Sequence, residues 1–159
     1  MGHPSVIHNT FVIERSYQAQ PERVFAAFSD PIKKRRWFAE GDRHEVQSYE
    51  MDFRVGGQEH ARFQFKEGTP VQGLICTNDT SYLEIVPDHR IVFASTMTIG
   101  GRCISAALGT VEFLASDKGT DLIFTHQAAF FEGADGPEMR KEGWRTLFEA
   151  LAGELTRSK

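Results

Sequence analysis

The sequence predicts an α+β domain: a curved antiparallel sheet of six to seven strands, two short helices after strand 1, and a long C-terminal helix over the concave face. Three observations carry this. Apolar and polar residues alternate at period two through much of the stretch from Tyr49 to Phe130. Two proline-led helix starts, at Pro21 and Pro31, separate that stretch from the first strand. Beyond Pro137, apolar residues recur at helical spacing.

Thr10–Tyr17 is β-branched and aromatic and reads as strand 1. Pro21 then opens a helix, with Glu22 at its positive end and Val24, Phe25 and Phe28 on one face. Asp30-Pro31 repeats the start signal and carries a second short helix through the basic run Lys33, Lys34, Arg35, Arg36. From Ser48 to Val55, Tyr49, Met51, Phe53 and Val55 alternate with Ser48, Glu50, Asp52 and Arg54, and Gly56-Gly57 makes the turn. Ala61, Phe63 and Phe65 alternate with Arg62, Gln64 and Lys66. Further strands follow at Thr80–Val86, Arg90–Ile99, Cys103–Leu114 and Asp121–Phe130, parted by turn residues at hairpin spacing. Trp144, Leu147, Phe148, Leu151 and Leu155 define the stripe of the last helix.

The 159 residues fit one domain spanning 1–159, with its core over about 10–156. Thirteen Phe, against three Tyr and two Trp, imply an aromatic core or an apolar cavity to line. A net charge of −4 argues against nucleic acid, whose binders gain most of their affinity from basic surplus. The basic run is short and flanked by Asp30, Glu40 and Asp42, so Lys33, Lys34 and Arg35 are expected to face water. Cys76 and Cys103 form no C-x-x-C pair and read as buried small apolar groups in a reducing compartment. No segment has the length or apolarity of a membrane span, and a cytoplasmic location without membrane insertion is expected.

DPIKKRRWF, MDFRVGG, NDTSYLEIVPDHRIVFA, GTDLIFTHQAAFF and EGWRTLFEAL, in that order, resemble the SRPBCC or START-like helix-grip superfamily. Within it, the chain is similar to the branch named after the C-terminal domain of the activator of the heat-shock-protein-ninety ATPase. The resemblance runs from about Phe11 to Leu155. It implies a grip in which the long helix lies across the sheet, a cavity lies between them, and Trp37 and Phe38 point to its mouth.

His126 alternates with Leu122, Phe124, Ala128 and Phe130 and shares their face, which the resemblance implies is the concave one. A lone imidazole among benzyl groups can serve as a general base or hydrogen-bond a ligand carbonyl or hydroxyl. The alternative is a neutral ring satisfied by a backbone carbonyl or water. Trp37, Tyr49, Phe65, Met97, Phe113, Phe130, Trp144 and Phe148 are the candidate apolar wall, with Tyr49 and His126 as its polar groups. No His pair has metal-ligand spacing, no G-x-S-x-G occurs, and the glycine pairs fit turns, so neither metal, cofactor nor catalytic residue is assigned.

The expected function is binding of a small hydrophobic molecule (a lipid, an aromatic or a polyketide-like metabolite) between sheet and C-terminal helix. Two alternatives compete: a cyclase- or hydratase-type enzyme using the same cavity, and a chaperone-regulating module with a protein partner. Cavity volume separates binding or catalysis from a surface role: a pocket of a few hundred Å3 supports the first two, while a closed, fully packed grip leaves only the surface. Oligomeric state has no signature in this sequence.

Overall fold

The computed structural model of the protein describes residues 5–42 and 44–157. The ends of the 1–159 domain reading, and Arg43, lie outside the described residues. Strand β1 (Ile7–Tyr17) is followed by helix α1 (Pro21–Ser29) and the single turn of α2 (Pro31–Lys34), which widens into a π-turn over Arg35–Ala39. Six strands follow: β2 (His44–Met51), β3 (Gln58–Phe65), β4 (Ile75–Val86), β5 (Arg90–Ile99), β6 (Arg102–Ser116) and β7 (Gly119–Phe130). Helix α3 (Pro137–Arg157) closes the chain.

The strands form one antiparallel sheet in the order β1-β7-β6-β5-β4-β3-β2. The short helices carry the chain from β1 at one edge to β2 at the other, and each later strand pairs with its predecessor. Extra residues at Gln47, Leu83 and Ile104 break the ladder register. Such bulges bend a sheet and raise its twist, which supplies the curvature that α3 needs to lie against.

Local chemistry explains the turns. The Asp30 carboxylate accepts from the backbone N–H of Ile32 at 2.9 Å, capping α2 directly after α1. Gly100 and Gly101 both hold positive φ, at 60° and 82°, and make the tight β5–β6 hairpin. At Gly57 a Cβ would stand 2.1 Å from the Asp52 carbonyl oxygen, so only glycine allows that close approach.

The core lies between the concave face and the helices. Val24, Phe25 and Phe28 of α1 meet Phe113 of β6, with ring centroids 5.5 and 5.3 Å apart for the two Phe pairs. Phe148 and Leu151 of α3 are fully buried against the same layer. Side chains of β1, α1 and the π-turn fasten the C-terminal half of α3. Tyr17 donates its hydroxyl to the Phe148 carbonyl at 3.0 Å. Arg36 makes a bidentate pair with the buried Glu154 at 2.8 and 2.7 Å, and Arg23 donates to the Leu155 carbonyl.

Four expectations need correction. The strand read through Val55 ends at Met51, and Val55 is exposed, because the chain leaves the ladder for a turn over residues 52–57. Strand β4 begins at Ile75, five residues before Thr80, despite the turn-like run Thr77, Asn78, Asp79. Cys103 is exposed at the start of β6, whereas Cys76 is buried. Lys34 does not face water: it is 8% exposed, because the turn that buries Trp37 also turns residue 34 inward at i−3.

Candidate functional site

Between the concave face, the α2/π-turn segment and α3 lies a small cavity of about 40 Å3. Each water needs roughly 10–15 Å3 by this kind of measure, so the space suits a few waters in the closed grip. Its aromatic side comprises Phe28, Trp37, Phe38, Phe53, Phe93 and Trp144. Its sheet side is mixed: Asn78 and Thr80 on β4, Ser95 on β5, Ser105 on β6 and His126 on β7 are set among Tyr82, Ile91, Phe93, Met97 and Val111. The ladder aligns them, with Thr80 opposite Ser95 and Met97 flanked by Asn78 and Ser105. Lys34, Glu59 and Arg140 complete the wall.

Glu59 is 2% exposed and accepts from three donors: Lys34 Nζ at 3.0 Å, the Tyr49 hydroxyl at 2.6 Å and the Tyr82 hydroxyl at 2.5 Å. Burial alone would raise its carboxyl, but the Lys34 ammonium and the two tyrosine hydrogen bonds outweigh it and hold the group below the usual carboxylate range. Burial, reinforced by the Glu59 charge, pushes both tyrosine hydroxyls well above their usual value. The Lys34 ammonium also sits 4.5 Å from the Phe38 ring centroid and 5.7 Å from that of Trp37. The network joins α2 to β2, β3 and β4.

Arg140, on the first turns of α3, grips Asp135 through Nε at 2.8 Å and Nη2 at 2.7 Å. Its guanidinium carbon stands 5.0 Å from the Phe130 ring centroid, and Nη2 reaches the Met97 sulfur at 3.4 Å. His126 is 2% exposed, stacked on Phe11 with centroids 4.5 Å apart, and its Nδ1 is buried without a hydrogen-bond partner. Burial, assisted by the Arg140 charge, lowers its pKa to about 4, so the ring is neutral at neutral pH. Among the described residues no group of His, Cys, Asp and Glu could hold a metal ion, and no helix is long and apolar enough to cross a membrane.

Of the residues singled out from sequence, Trp37, Met97, His126 and Trp144 lie on the cavity wall. Tyr49 reaches it only through Glu59. Phe65 packs with Tyr49, Met97 and Phe63 in a satellite cluster. Phe113 and Phe148 belong to the main core, and Phe130 lies under Arg140 beside His126. The polar wall residues that sequence reasoning passed over are Lys34, Glu59, Asn78, Thr80, Tyr82, Ser95, Ser105 and Arg140. For Glu59 a signal existed: carrying the Ala61, Phe63, Phe65 alternation back by two places puts it on the inward face.

The family described as activator of Hsp90 ATPase homolog 1-like protein matches residues 18–156. The chain belongs to this family. Its members' grip fold is that of the SRPBCC-like superfamily, and solved structures agree. A protein from Rhizobium leguminosarum is 37% identical with a TM-score of 0.90, covering 98% of this chain and 99% of that one. A protein from Rhizobium loti is 47% identical with a TM-score of 0.84, over 94% of this chain and 99% of that one. An AHSA1-like protein from Aeromonas hydrophila shares the fold at 18% identity and a TM-score of 0.69, over 94% of each chain. No curated protein matches.

Proposed function

We propose that this protein binds a small, mainly apolar molecule in the cavity between the sheet and α3. The observation that carries the reading is His126: an imidazole on the wall of an aromatic cavity, neutral, almost wholly buried, and with Nδ1 unpartnered. A buried polar atom without a partner costs about 1–3 kcal/mol, which a ligand group can recover. The default small-molecule site has this composition, an apolar lining with a few convergent polar groups.

At about 40 Å3 the closed cavity falls well short of the few hundred Å3 of an ordinary ligand site, so this reading requires the grip to open for its guest. The ties of α3 indicate where. Its C-terminal half is fastened to β1, α1 and the π-turn through Tyr17, Arg23 and Arg36. The charged tie of its N-terminal half, Arg140 to Asp135, runs to the loop that leads into the same helix. Lifting this half parts Arg140 from Met97 and Phe130 and Trp144 from Phe124, and enlarges the cavity while the rest of α3 stays seated.

The test is native mass spectrometry of the purified protein, followed by organic extraction. A co-purifying apolar molecule near one-to-one stoichiometry is the expected result. An empty protein that also takes up nothing from a panel of apolar compounds contradicts the reading.

A further inference from the structure

Resting on the cavity-binding reading, we infer that the site selects uncharged ligands: an aromatic body toward Trp37 and Trp144, and a hydroxyl or carbonyl group toward the neutral polar groups of the sheet wall, His126 on β7 above all, with Ser95 on β5 and Ser105 on β6. The polar wall residues divide into paired charges and neutral groups. Both cations are already matched to carboxylates, Lys34 to Glu59 at 3.0 Å and Arg140 to Asp135 at 2.7 and 2.8 Å. The neutral groups are the ones left unengaged. Among the described residues the side chains of Asn78, Thr80, Ser95 and Ser105 make no hydrogen bond, the Cys103 thiol donating only to the Ser105 backbone carbonyl, and Nδ1 of His126 has no partner.

An incoming carboxylate would therefore place a third acid among two cations that are already neutralised. It would lose its hydration in a largely apolar enclosure with no net positive charge to offset the loss. A hydroxyl suffers no such loss. It both donates and accepts, so it can satisfy an imidazole in either tautomer. Asp135 then has a definite part. By occupying the Nε and Nη2 edge of Arg140, it removes the one wall cation outside the Lys34 network as an anchor for acids.

The experiment is calorimetric titration at pH 7 with a matched pair of probes, 2-naphthol and 2-naphthoate. A phenol titrates near 10 and a carboxylic acid near 4, so the first is neutral and the second ionised. Native protein should bind 2-naphthol at least about tenfold more tightly than 2-naphthoate, given the cost of burying an unpaired charge. Asp135→Asn should strengthen 2-naphthoate and narrow that ratio, with circular dichroism confirming the fold. Equal or tighter binding of 2-naphthoate to native protein overturns charge selectivity while leaving the cavity reading intact. An unchanged ratio in a folded Asp135→Asn variant overturns the part given to Asp135. If neither probe binds, this inference is overturned, while the cavity reading stands or falls by native mass spectrometry and the wider panel of apolar compounds.

Discussion

Lys34 and Glu59, from a one-turn helix and the third strand, meet at 3.0 Å inside the fold, with side chains 10% and 2% exposed. The pair ties the α2 cap to the far half of the sheet, and Tyr49 and Tyr82 complete the carboxylate's hydrogen bonds. Removing one partner of such a pair strands a buried charge. Lys34→Met should therefore cost about 3–5 kcal/mol in urea denaturation, and Lys34→Met with Glu59→Leu should cost less than Lys34→Met alone. A double variant no more stable than that single variant would contradict a coupled pair. The sign with pH follows from a depressed folded-state carboxyl. Its stabilisation is present above the ordinary carboxylate range and lost as pH falls through the folded value.

His126 gives a pH signature at higher values. Its folded pKa of about 4 lies below the ordinary 6.5, so the unfolded chain binds more protons between the two. Stability contributed by the neutral ring is complete above 6.5 and falls as pH drops toward 4. Between pH 7 and 4.5 the loss should be about 2–3 kcal/mol at 1.36 kcal/mol per unit. His126→Phe should flatten the urea midpoint over this window. A variant as pH-sensitive as the native protein would contradict a neutral buried ring.

At Gly109 a Cβ would stand 2.3 Å from the Phe93 ring. Since Phe93 lines the cavity, Gly109→Ala should drive the ring into it. We expect about 1–3 kcal/mol of destabilisation from overpacking, together with weakened binding of 2-naphthol. Unimpaired binding would show that the guest occupies another place.

Gly143 lies within α3, and a Cβ there would meet no atom within 4 Å. Gly143→Ala should stabilise the protein by about 0.5–1 kcal/mol, visible as a raised Tm, because alanine loses less backbone entropy in a helix. A lowered Tm would mean that the glycine is needed for the helix's seating.

The fold was legible because most strands present one apolar face. The predicted Arg90–Ile99 and observed β5 coincide, and the helical stripe from Trp144 to Leu155 seats α3. The polar wall was not, because a serine, asparagine or glutamate in a strand reads the same whether it faces solvent or a cavity. The strand read from Thr80 begins at Ile75, so Asn78 fell outside the expected element, yet it lies on the cavity wall. Lys34 was hidden for a related reason: within a run of four basic residues, only the geometry of one helical turn separates it from Lys33 and Arg35. His126 stood out because its strand neighbours on the same face are apolar.

The most direct measurement of where a guest sits is a nuclear magnetic resonance titration of labelled protein with 2-naphthol. The account predicts shifts centred on the indole N–H of Trp144, the His126 ring and the amides of the first turns of α3, with the convex sheet face unmoved. Shifts confined to the convex face, or none at saturating probe, would contradict binding within the grip.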